Sequence, residues 1–262
     1  MHIQYVNPGF EHSIESILLF QTGRETPYWS DTLFYFYPQL DKAHFAALPS
    51  TDKAQYLADV LRGVWQELQP EWEKKLAAYN AHWQTYRPQI EAAFSDTFEV
   101  DASALFNDLK GCITLNPVCP RFLQEHTFDI FHLSSERGAL GLSLHEMIHF
   151  LWFHVWHEHF HDSYDEYETP SLKWILSEMV VESIMRDPRL SSINPYFPRE
   201  NGGCVYGYFQ NMIIDGRPIL DTLEDMYSTR RSIQGFMQES YAYCQMHESG
   251  IRAHITLQEQ SF

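Results

Sequence analysis

The chain has 262 residues, and 18 Lys and Arg against 35 Asp and Glu leave a net charge of −17. So acidic a chain is poorly suited to a nucleic acid, because it has no surplus of cations to displace counterions from a phosphate backbone. With 44% apolar and 15% aromatic residues it can fill a sizeable core, which argues against disorder as its main state.

The start, Met1-His2-Ile3-Gln4-Tyr5, carries no cationic segment, and Glu15 and Ser16 interrupt the first apolar stretch, Ile14 to Phe20. No secretory signal is expected from it. No window reaches the roughly 18 apolar residues of a membrane span. The richest, Met147 to Phe160, holds His149, His154, His157, Glu158 and His159. Cys112, Cys119, Cys204 and Cys244 show no Cys-x-x-Cys spacing, so thiols in a reducing, cytoplasmic setting are expected rather than a zinc ribbon or a disulfide framework.

Ser50-Thr51-Asp52 offers helix caps, and apolar residues recur at Tyr56, Leu57, Val60, Leu61, Val64, Trp65 and Leu68. Pro70 suits the first turn of a second helix reaching about Tyr86, through Trp72, Leu76, Tyr79 and Trp83. Pro88 punctuates again before a short helix through Phe94. Core packing accounts for these aromatic residues. Phe98–Val100, Cys112–Leu115 and Phe128–Leu133 then favour strands, separated by turns at Asn116-Pro117, Cys119-Pro120 and Glu136-Arg137-Gly138. A long apolar helix is expected over about Leu140–His157, then a loop through His159–Ser163 and the acidic Asp165–Glu168. Thr169 and Pro170 read as cap and first residue of another helix, ending near Met185. Asn201-Gly202-Gly203 reads as a turn, and the remainder is mostly helical. The expectation is one compact α+β unit, mainly helical with a small sheet before the apolar helix. Its organisation would be a helical N-terminal part, 1–96, and a second part, 97–262, that holds the sheet and the apolar helix.

The apolar helix contains His145-Glu146-Met147-Ile148-His149. Residues i and i+4 share a helix face, so two imidazoles can reach one metal ion. Glu146 is turned by about 100°, placed to reach a metal-bound water without ligating. Leu144, Met147, Ile148, Phe150 and Leu151 keep the surroundings uncharged. A buried helix whose histidines are satisfied by hydrogen bonds is the alternative, so a third ligand decides. The metzincin pattern is excluded, because Trp152 stands at its glycine and Val155 at its last histidine. A downstream glutamate is the other common solution. Glu178 and Glu182 lie i, i+4 in an otherwise apolar segment, Trp174–Ser183. Zinc beside Glu178 and an imidazole N–H beside Glu182 would satisfy both; a solvated acidic stripe is the alternative.

These residues resemble the gluzincin superfamily, the thermolysin-like zinc peptidases. Their signature joins His-Glu-x-x-His to a helix with Asn-Glu-x-x-x-Asp or a variant. Here Ser177-Glu178-Met179-Val180-Val181-Glu182 stands in for it, over about a sixth of the chain. The resemblance implies a zincin-like fold with one zinc ion held by His145, His149 and Glu178. Glu182 would hydrogen-bond a ligating histidine, or exchange roles with Glu178. It further implies a peptide or protein substrate, hydrolysed by a zinc-bound water that Glu146 activates. A Tyr or His from the C-terminal part would complete oxyanion stabilisation. Tyr206 and Tyr208 are favoured, behind the Gly-rich Asn201–Tyr208, over Tyr241, Tyr243, His247 and His254, with simple packing as the alternative for each. The strand at Phe128–Leu133 would offer an edge to an extended peptide. His154, His157, His159 and His161 could mimic a second metal site, though no carboxylates compel it. The competing function is a non-catalytic zinc-containing binding or regulatory protein on the same fold. The presence of Glu146 argues against it, because a structural site needs no general base.

Overall fold

The computed structural model describes residues 1–22, 27–195 and 204–260. It is mixed α+β, mostly helical with a small sheet. In chain order the elements are β1 (Ile3–Val6), α1 (Phe10–Leu18), α2 (Pro27–Phe36), α3 (Lys42–Ala47), α4 (Ser50–Phe98), β2 (Leu109–Thr114), β3 (Arg121–Phe122), β4 (Thr127–Phe131), α5 (Glu136–Phe160), α6 (Leu172–Met185), α7 (Pro188–Ser191), α8 (Gly207–Gln210), β5 (Ile213–Ile214), β6 (Arg217–Pro218), α9 (Ile219–Thr229), α10 (Ile233–Met246) and α11 (Glu248–Glu259). Residue contacts divide them into two compact units. The sheet unit holds His2–Thr85, Asn107–Leu140 and the chain from Glu259; the helical unit holds Met1, Tyr86–Phe106 and Gly141–Gln258. Neither coincides with the 1–96 and 97–262 parts read from the sequence.

In the sheet unit the strand order is β1-β2-β4-β3, with β1, β2 and β4 parallel and β3 antiparallel to β4. Alternation puts Ile3, Tyr5, Leu109, Gly111, Ile113, Phe128 and Ile130 on one face. The side chains on that face are buried, and α4 packs there, with the Tyr79 ring edge-on to Tyr5. Gly111 is required where it stands, because a Cβ would meet Tyr5 Cδ1 at 2.7 Å. The open side of β1 is blocked at Tyr5. Its N–H donates to Asn80 Oδ1 at 3.1 Å, and Asn80 Nδ2 donates back to its carbonyl at 3.2 Å.

Several expectations need correction. The three segments from Ser50 onwards form one helix that runs through Pro70 and Pro88. Each proline forfeits one backbone donor, but the buried stripe of Leu57, Leu61, Trp65, Trp72, Tyr79 and Trp83 continues across Pro70. Trp65 and Trp72 meet there with ring centroids 4.1 Å apart. Phe98–Val100 is not a strand. Phe94 and Phe98, one turn apart and both buried, carry the helix to its end, and Glu99 reverses the chain at φ 58°. Glu136–Gly138 is not a turn but the first turn of α5, because Ser135 Oγ accepts the Gly138 N–H at 3.1 Å. The cap of α6 is Ser171, which accepts the Trp174 N–H at 3.0 Å, and not Thr169. The strand within Phe128–Leu133 is not a bare edge, since β3 pairs with its Thr127 and Phe128. Asn201–Gly203 lies outside the described residues. The four cysteines form no disulfide, and among the described residues no helix is long and apolar enough to cross a membrane.

The helical unit is built around α5 and α6. Trp152 packs edge-on against Phe236 of α10, and Trp156 against Tyr241. Phe153 stacks on Tyr167. Beyond α6, Tyr227 Oη donates to Asp187 Oδ2 at 2.9 Å, tying α9 to the start of α7.

Candidate metal centre

Apart from half-buried His145, every residue from Ser143 to Phe153 is buried. A helix apolar on all sides belongs in a core, and this one brings His145, Glu146 and His149 in with it. The same holds more strictly for α6, where all positions from Leu172 to Met185 are buried. Glu178 is 2% and Glu182 1% exposed. That excludes the solvated acidic stripe. The only basic residue within α6, Lys173, is engaged with Asp162 at 2.5 Å and with Glu166.

His145 Nε2 and His149 Nε2 lie 3.2 Å apart. Glu178 Oε2 lies 3.9 Å from the first and 3.6 Å from the second. Both carboxylate separations exceed a charge-assisted hydrogen bond, which closes to roughly 2.7–2.9 Å. They suit three ligands facing one ion. The circle through three points with these separations has a radius of about 2.1 Å, the usual zinc distance for imidazole and carboxylate ligands. Two imidazoles and one carboxylate, largely withdrawn from solvent, also form the donor set that a borderline-soft dication takes. The residues therefore fit a zinc ion.

Of the three, the His145 side chain is the most exposed, at 19% of its surface, against 3% for Glu178 and none for His149. Glu146 is buried beside His145. Glu182 is buried one turn beyond Glu178 on the same face of α6. Tyr206 precedes α8 and is half-buried, its ring 6.3 Å from that of Trp174. Trp174 lies one turn before Glu178 on α6. Tyr208 is buried and stacks on Tyr206 at 5.4 Å. Three of the other C-terminal candidates, Tyr241, Tyr243 and His247, are engaged elsewhere. Tyr241 packs on Trp156, about two turns past His149, and His247 faces Asp215 at 3.2 Å, beside Tyr243.

Among the described residues, the later histidines are not brought together with two further converging donors. His154 sits edge-on to Phe106, and burial holds its pKa below the ordinary imidazole value. A ring nitrogen of His157 lies 2.7 Å from the Asp162 carbonyl oxygen, and His159 sits edge-on to Phe160. Among the described residues, a second set of three converging donors does occur, in the sheet unit: His12, Cys112 and Asp129. Sequence reasoning missed it, because no local spacing links positions so far apart. Compared with known protein families, with curated proteins and with solved structures, the chain matches none of them.

Proposed function

We propose that the chain is a zinc-dependent metallopeptidase of the gluzincin type, with a zincin-like arrangement of α5 and α6. The observation that carries this reading is the convergence of His145, His149 and Glu178 on one point, with Glu146 buried next to the first ligand. Zinc, when bound, supplies the Lewis acidity that makes water a nucleophile near neutral pH.

The remaining work falls to the chain itself. Glu146 takes a proton from the attacking water and returns it to the leaving amine. Its burial in an apolar helix keeps bulk water from competing for that proton. Glu182, on the same face as Glu178, holds a ligating imidazole in orientation. Tyr206 keeps some exposure and packs beside Trp174, one turn before Glu178, which supports it over Tyr208 as the donor to a developing oxyanion. Tyr208, buried beneath it, supports the ring. The substrate is a peptide or protein, approaching from the His145 side.

The test is cleavage of a diverse peptide library by the purified chain, compared with Glu146→Gln at equal zinc content. Cleavage by the wild type that the variant lacks supports the reading. Equal cleavage by both, or none by a zinc-loaded wild type, overturns it.

A further inference from the structure

The second face of the sheet carries a buried polar cluster that peptide hydrolysis does not use. Cys112 of β2 is in register with Asp129 of β4, so their side chains stand together on that face. Helix α1 brings His12 and Ser16, one turn apart, to the same place. His12 Nε2 lies 2.9 Å from Asp129 Oδ1, Ser16 Oγ donates to Asp129 Oδ2, and Asn116 Nδ2 donates to Ser16 Oγ at 2.8 Å. A ring nitrogen of His12, Cys112 Sγ and a carboxylate oxygen of Asp129 all lie within 4.8 Å of one another. Asp129 has no exposed surface and Cys112 keeps 4%. A pocket of about 700 Å³ opens beside them, lined by Val6, His12, Ser16, Cys112 and Phe122 among others.

We propose that His12, Cys112 and Asp129 form a second metal site, selective for a zinc-class dication. One thiolate, one imidazole and one carboxylate are the mixed donors that zinc accepts and that magnesium and calcium do not favour. Two of the three come from neighbouring strands in fixed register, so their spacing is set by the sheet and not by a loop. The pocket provides an entry path and room for water as a fourth ligand. Coordination displaces to solvent both the Cys112 thiol proton and the proton that His12 Nε2 shares with Asp129, and the ion then takes that proton's place between the imidazole and the buried carboxylate. Lys110 is on the same face but exposed, where water and salt screen it.

Cobalt(II) titration of the full chain tests this, because only a sulfur ligand gives a thiolate-to-cobalt charge-transfer band. The His145, His149 and Glu178 centre contains no sulfur and is silent in that band, so the outcome is independent of the peptidase reading. The band is expected in the wild type, is retained in His149→Ala and is absent in Cys112→Ser. His12 is part-exposed and the amide N–H of His12→Gln can still donate to Asp129, so this variant should keep the fold even if Cys112→Ser does not, and should weaken cobalt binding in the band at least tenfold. No band in the folded wild type overturns the proposal. So does a band that survives Cys112→Ser, or unchanged affinity in His12→Gln.

Discussion

His149 Nε2 and Glu178 Oε2 face each other at 3.6 Å in the interior of the helical unit, one from α5 and one from α6. Two helices that bury polar groups against each other need a reason, since an uncompensated buried carboxylate is costly. The proposed dication would supply one, and would give the centre a distinctive response to mutation.

Metal analysis of purified variants should separate ligands from non-ligands. His149→Ala and Glu178→Ala should lose most of the zinc, and activity of Glu178→Ala should recover in part with excess zinc. Glu146→Gln should keep its zinc while hydrolysis falls by roughly two to four decades. Glu182→Gln should be milder, about 10–100-fold in affinity or activity. A Glu178→Ala protein that holds zinc as tightly as the wild type, with loss in Glu182→Ala instead, would exchange the roles of the two acids.

Tyr206→Phe should lower kcat by roughly 10²–10³ with little change in KM, the pattern of a donor engaged only in the transition state. Tyr208→Phe should leave both nearly unchanged, as the ring keeps its packing. Equal, small effects of both substitutions would reduce the tyrosine pair to core.

Asp187 gives a pH prediction. Burial alone would raise its pKa, but the Arg189 side chain and N–H together with the Tyr227 hydroxyl outweigh that and hold it at about 2, below the ordinary 3.8. A depressed carboxylate stabilises the fold above its unfolded value and loses that contribution as pH falls through the folded one. Asp187→Asn should therefore cost about 1–2 kcal/mol at neutral pH, allowing for solvent screening at half-exposed Arg189. The gap between variant and wild type should close between about pH 4 and pH 2. Urea denaturation across that range measures it; a gap independent of pH would remove the electrostatic account.

Gly111→Ala tests the sheet. The new Cβ would stand 2.7 Å from Tyr5 Cδ1 and 3.1 Å from Ile130 Cδ1. Both neighbours are buried, so the strands must shift, at a cost of about 1–3 kcal/mol. The midpoint of urea unfolding should drop accordingly. A tolerated alanine would mean that the Tyr5 ring is not held where it is found.

The two imidazoles of the centre were legible in the sequence because i, i+4 spacing is a property of a single helix, independent of the rest of the fold. Glu178 and Glu182 were legible for a related reason, since two acids in an apolar helix must be paired or solvated. Only burial of every residue of α6 chose between those outcomes. The strands at Cys112 and Phe128 were visible from composition, but β1 was not, nor was the parallel order that places β2 between β1 and β4. Prolines suggested breaks at Pro70 and Pro88 because local propensity penalises them. Continuous packing along α4 outweighed that penalty, a balance that no window of sequence contains. The meeting of His12, Cys112 and Asp129 was likewise decided by tertiary structure alone. Strand register sets it, and register comes from pairings between residues far apart in the chain, which short-range patterns do not encode.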